Sequence, residues 1–486
     1  MRQTLRRFIS VLPLLAVLAL PQTAWAQDVQ YWHHSWGFKQ GSYGVINYSS
    51  NCTNYKVLDA STSLSASGDF GVGDNPEWDN GGYKWVVVRG DVTVATLRVI
   101  GEGHLILTDG CKLTCTGGVW LSGSSTLNIY GQSPDGRAET EGQLIVTQSN
   151  KGCAGIGSWK QEEANGSPVS MGSLTIHGGH IEATGAQYGA GIGGGEDRGI
   201  QNGCSYTQYG GDVRAIGGEY AAGLGGGYAG HQGGEISIYG GKVTATGGTN
   251  GAGIGGGDGG DGGHVHVYGS GADVTALGGK NAAGIGGGNS GDGSNWANKE
   301  LLTVDGGKVT ATGGEDGAGI GGGWGRPFVH FDGGLVIVNG GEVIAQGGRD
   351  AAGIGTGGNY SLANATADFG IMIVNGGKVS ATGGDHAAGI GGGNRSTIQV
   401  TSESKFEITG GEVIAQGGNG GSGIGGGLKA YLHHVIIKGG TVKAIGGQAF
   451  DGFCGLGIGG SSVVDINYQP NSKIEISGGQ VYAYGF

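Results

Sequence analysis

The sequence predicts an all-β chain wound as a right-handed parallel β-helix, a solenoid of about 10–12 coils with three short strands in each and a cap at its N-terminal end. Three observations carry that prediction. The stretch Gly247 to Gly257, GGTNGAGIGGG, recurs ten times with light editing, its central Ile-Gly or Leu-Gly pair falling at intervals of 30 to 36 residues from Ile156 to Ile458. A fixed period of this size marks an array whose units bury their apolar faces against one another. The unit from Glu235 to Gly257 holds three runs with period-two alternation, which places Ile236, Ile238, Val243, Ala245, Ala252 and Ile254 on one face and Ser, Thr or Gly on the other. Glycine makes up 118 of 486 residues beside 7 prolines, with no Gly-X-Y period, which removes collagen.

Taken from the N-terminus, residues 1–26 read as a secretory signal peptide. Arg2, Arg6 and Arg7 precede an apolar run from Phe8 to Leu20, and Ala24-Trp25-Ala26 has the form of a cleavage site. The expected product is secreted or extracellular, without a membrane span. Residues 27–84, aromatic around Tyr31 to Trp36, are the expected N-terminal cap, because the first coil of a solenoid otherwise shows open strand edges and bare core to water.

From residue 85 to 486 short apolar runs alternate with glycine, and about ten repeats of 30–36 residues follow one another. Stacking the repeats aligns Val243, Val309, Val343, Val379, Val413 and Val442 in one internal ladder and the repeated Ile of the glycine segment in another. Right-handedness follows from the general rule for parallel crossovers. A polyproline-type bundle would need Gly at every third residue, and a propeller four strands per repeat; neither fits. Insertions at 157–171, 196–210, 290–300, 324–333, 358–370 and 394–404 all follow the glycine segment, so one corner should carry the variable loops.

The formal net charge of −12, spread along the chain, argues against nucleic acid as a partner. Six cysteines in an exported chain permit three disulfides and about fifteen pairings. Cys115 and Cys153 fall at near-equivalent places in successive units and form the first candidate pair. The absence of any CxxC pair speaks against zinc.

Chemistry is expected where the repeats differ from one another. One variable column precedes each glycine strand and includes Tyr188, Tyr220, Asn250, Asn281, Asp316, Asp350 and His386; a second follows it and includes Tyr228, Asp258, Asn289, Trp324 and Asn394. The glycines between, such as Gly253 and Gly255, read as a bare outward strip. Neighbours in a column stand about 5 Å apart, so Asp316 and Asp350 approach the separation of about 5–5.5 Å used by retaining glycosidases. Asp316, Asp350 and His386 are therefore the candidate catalytic residues, with one carboxyl held protonated by its neighbour. Tyr188, Tyr220, Tyr228, Asp258, Asn289 and Trp324 are the candidate substrate-binding residues, the rings supplying faces for sugars. The same Asp and Asn also suit a purely architectural role in turns and stacked ladders.

Leu105 to Ser133, LILTDGCKLTCTGGVWLSGSSTLNIYGQS, followed by the GGKVTATGG and AGIGGG units, resembles the exported glycine-rich repeat proteins of gut-type bacteria. The resemblance covers essentially all of the chain after the leader. It implies a right-handed β-helix of a kind often described as carbohydrate-binding. The leading expectation is a glycoside hydrolase, or a lyase, acting as a monomer on an extracellular polysaccharide or host glycan; the alternative is a non-catalytic adhesin or surface solenoid. No cofactor is expected beyond a structural or substrate-bridging calcium ion, which the sequence neither requires nor excludes.

Overall fold

The computed structural model describes residues 29–39, 42–62, 64, 67–73, 83–121, 123–133, 141–159, 170–196, 205–229, 233–291, 300–325, 331–332, 334–358, 367–368, 370–394, 405–428, 434–450, 454–461 and 473–486. The expected signal peptide and most of the expected insertions lie outside these residues. Among the described residues no helix is long and apolar enough to cross a membrane.

The chain is an all-β parallel β-helix. Three long parallel sheets run its length, one of 14 strands and two of 13. Each coil contributes one strand to each sheet in turn, as in Glu235–Ile238, Gly241–Thr246 and Ile254–Gly255. We call these the first-strand, second-strand and glycine sheets. The described strands form twelve complete coils with a partial coil at either end. At the usual strand spacing the stack is roughly 60 Å long.

Sequence alternation fixes the interior. Val243 pairs with Val213 and Val274, and the register continues through Val309, Val343, Val379, Val413 and Val442 without a slip. All these valines are buried, as is the Ile/Leu ladder of the glycine sheet from Ile156 to Ile424, in one continuous core against which Ile458 packs partly buried. Every such side chain contributes about 1.5–3 kcal/mol relative to exposure. A one-residue slip would turn the whole set outward, which is why the register holds.

The glycine strands are not a bare outer strip. Residues 251–257 are buried without exception. Gly255 has φ +134°, and a Cβ there would lie 2.1 Å from the carbonyl oxygen of Gly286 in the next coil. A Cβ on Gly253 would lie 2.5 Å from the amide nitrogen of Leu277. Backbone packs on backbone at this corner, so the glycines serve close approach and positive φ rather than an exposed surface.

The N-terminal region also differs from expectation. Lys56–Leu58 and Phe70–Gly73 already belong to the first-strand and glycine sheets, so the coils begin near residue 56 rather than at 85. Val29–Lys39 and Ser42–Cys52 form an antiparallel hairpin. It packs on the outer side of the first-strand sheet, where Val29 and Cys52 meet Val87, Ile106 and Tyr130, residues that alternation turns outward. Tyr31 sets its ring 5.1 Å from Trp85 and 4.8 Å from Tyr130.

The Cys115–Cys153 pairing is a further correction. The Cys115 thiol points into the core in the ladder position of Val94 and Val146, and burial pushes its pKa up to about 12. Cys153 sits at the corner before Ile156 and bridges in backbone to Trp159. Thiols facing the interior and the corner of a coil do not meet, and no disulfide joins them.

Candidate functional site

From Asp212–Ile216 to Thr441–Ile445 each second strand is followed by a Gly-Gly pair, on which the chain turns before doubling back around the glycine strand. At Gly248 a Cβ would lie 1.7 Å from the carbonyl oxygen of Gly218, so this corner admits no side chain. The next residue points outward, and in the coils of Asp316 and Asp350 the one after it turns beneath the surface. Glu315, Arg349, Asp385 and Asn419 are exposed, whereas Asp316 and Asp350 are buried.

The doubling-back brings the two variable columns together. Asn250 donates to Asp258 at 3.0 Å, Asn281 donates to Asn250 at 2.8 Å, and Asn289 donates to the other oxygen of Asp258 at 2.8 Å. This is a side-chain ladder running across coils. Toward the N-terminus the same columns hold Tyr188, Tyr220 and Tyr228, whose ring centroids lie 5.2 to 5.8 Å apart. Lys151 places its ammonium 5.0 Å above the Tyr188 ring. Toward the C-terminus Trp324 follows in line, its buried Nε1 and the buried Oδ1 of Asn289 having no hydrogen-bond partner among the described residues.

The candidate catalytic residues sit in this stripe, but below its surface. Asp316 is 8% exposed and Asp350 2%. The Asp350 carboxylate accepts from Asn394 Nδ2 at 2.7 Å and Arg349 Nε at 3.1 Å, and meets His386 Nδ1 at 3.0 Å. Both oxygens of this carboxylate are thus engaged within the fold rather than turned toward a substrate. Phe450 lies against the His386 ring at 4.6 Å. Of the residues expected to act, the structure therefore joins Asp350 with His386, Asp258 with Asn289, and the three tyrosines. No hydrogen bond links the Asp316 and Asp350 carboxylates among the described residues. Nor do these residues gather three or more His, Cys, Asp or Glu side chains around a common point, the arrangement that would hold a metal ion.

A concave surface lies one residue to the side of the expected columns. A groove of about 850 Å³ runs along the Gly-Gly corners of the C-terminal coils. One wall is the end of the second-strand sheet, with Thr312, Gln346 and Gln416; the other carries Glu315, Arg349 and Asp385; Phe486 stands at one end. The floor is glycine backbone. Arg349 reaches Glu315 at 3.4 Å and Lys280 reaches the same carboxylate at 3.5 Å, so the charges of this wall are largely balanced. Sequence reading missed the groove because its lining residues belong to two separate runs, and only the depth of the glycine corner makes them face each other.

The β-helix repeat family matches seven segments of the chain, residues 174–196, 236–258, 302–324, 336–358, 373–394, 406–428 and 435–462. Each begins in a first strand and runs through the glycine strand of the same coil, so the matched unit is the coil described above. No curated protein and no solved structure matches the chain.

Proposed function

We propose that this β-helix repeat protein is an exported, non-catalytic carbohydrate-binding solenoid that holds an extracellular polysaccharide along its glycine-floored groove. The observation that carries the reading is the groove itself. It is open, extends across successive coils, and is lined by amides, a threonine hydroxyl and compensated charges over half-buried glycine backbone. Such a lining suits neutral hydroxyl-rich chains, since each sugar hydroxyl both donates and accepts and Gln and Thr do likewise. A glycine floor lets a ligand approach the backbone closely, and Phe486 offers a ring face at one end. The tyrosine cluster supplies a second aromatic surface further along the rod.

The non-catalytic reading is preferred because Asp316 and Asp350 are buried and Asp350 is surrounded by donors. A solution test uses the purified chain without its leader against a panel of soluble polysaccharides. Binding is followed by titration calorimetry and bond cleavage by release of reducing ends. Binding without products is expected, and it should survive Asp316→Asn/Asp350→Asn if that variant folds. Cleavage that disappears in that folded variant would restore the hydrolase reading.

A further inference from the structure

The outer face of the second-strand sheet does not repeat every coil beside the groove; it repeats every second coil. The strands Lys308–Thr312, Glu342–Gln346, Lys378–Thr382 and Glu412–Gln416 stack in unbroken register. Their inward residues are Val and Ala throughout. Their outward residues alternate: Lys308, Thr310 and Thr312, then Glu342, Ile344 and Gln346, then Lys378, Ser380 and Thr382, then Glu412, Ile414 and Gln416. The Lys and Glu column has a structural use, since opposite charges on adjacent strands attract, and Lys308 lies 3.9 Å from Glu342. Packing and charge pairing do not account for the alternation of Thr312, Gln346, Thr382 and Gln416. These are the last outward positions; Thr312, Gln346 and Gln416 line the groove with Thr382 in register between the two glutamines, and no side-chain hydrogen bond joins neighbours in this stack among the described residues.

The opposite wall keeps the same phase. Glu315 and Asp385, both acidic, stand two coils apart, with Arg349 between them and Asn419 beyond. The groove is therefore a lattice of two-coil cells, each about 9.6 Å long at the usual strand spacing. That is about the length of one disaccharide in a fully extended β-1,4-linked chain, in which successive sugars are turned over and only alternate residues present the same edge.

We infer that the groove selects extended, ribbon-like β-1,4-linked glycans, reading one disaccharide for every two coils through Gln346 and Gln416 on one wall and Glu315 and Asp385 on the other. The inference rests on the carbohydrate-binding reading above and adds the class of ligand. Helical α-1,4-linked chains do not keep this repeat along a straight rod, so they match at no more than one cell.

The test titrates the full chain, without its leader, with β-1,4-linked oligosaccharides of increasing length and with α-1,4-linked oligosaccharides of the same lengths. Affinity for the β series should rise in steps at each added disaccharide and exceed that for the α series about tenfold. A phase variant, Gln346→Thr with Thr382→Gln, keeps composition and exposure but breaks the two-coil cell; about tenfold weaker binding to the β series is expected, with unfolding unchanged. Equal affinity for both linkages, or a phase variant that binds as well as the parent, overturns the lattice while leaving glycan binding in place. Failure of every glycan to bind overturns the carbohydrate reading and the lattice with it.

Discussion

Glycine occupies two kinds of position in this chain, and substitution should separate them. At Gly255 the backbone has φ +134° and a Cβ would lie 2.1 Å from a carbonyl oxygen; at Gly259, φ +73°, nothing lies within 4 Å of that Cβ. Gly255→Ala is therefore expected to destabilise by about 3 kcal/mol or more and Gly259→Ala by about 1 kcal/mol, measured by denaturant unfolding. A titrating pair offers a second check. His180 and Asp212 are partners on adjacent coils, 3.4 Å apart. The Asp212 carboxylate raises His180 above 6.5, and His180 lowers Asp212 below 3.8. His180's contribution is full below its unfolded value and is lost as pH rises through the raised one. That of Asp212 is full above its unfolded value and is lost as pH falls through the lowered one. Coupling in a His180→Ala/Asp212→Ala double-mutant cycle should thus be largest between about pH 4 and 6.5, at about 1 kcal/mol or less.

At the scale of the element, the side-chain ladder beside the glycine strands is the part whose loss should be felt across coils. Asp258→Ala strands the Asn250 and Asn289 amides together, so a cost of about 1–3 kcal/mol is expected in the same unfolding assay. Asn281→Ala, at the edge of that network, should cost less. The strands and their inward faces were legible in the sequence because period-two alternation is a local signal and the repeats confirm it ten times over. The same alternation, applied at Cys115, places that thiol inside the coil beside Val94 and Val146 and leaves it no route to Cys153. What the sequence does not show is the turn after Gly-Gly. There the alternation lapses, so Glu315 and Asp316 look equally outward, and only the close packing of the glycine corner decides that the first is exposed and the second buried. The candidate site was displaced by that one residue.

Across the whole molecule the two ends are unlike. Leu58 and Phe70 in the first coil are buried, while Ile474 and Ile476, in the inward ladder of the last coil, are 45% and 55% exposed. Each coil of a solenoid is steadied by its neighbours, so amide hydrogen exchange should be fastest in Ile474–Ile476 and Gln480–Tyr484 and slow progressively toward the middle of the rod. Protection as high at residues 474–484 as at 236–246 would mean that something covers this end. The alternating outer face carries one consequence of a different kind. Tandem repeats lengthen and shorten by unequal recombination, and the core of this chain would accept any number of coils, because Val, Ala and Ile stack on themselves. The groove would not. Removing one coil between residues 308 and 416 sets Gln beside Gln or Thr beside Thr, whereas removing two restores the pattern. Descendants of such a gene that keep the groove's function should differ from it by even numbers of repeats in this region.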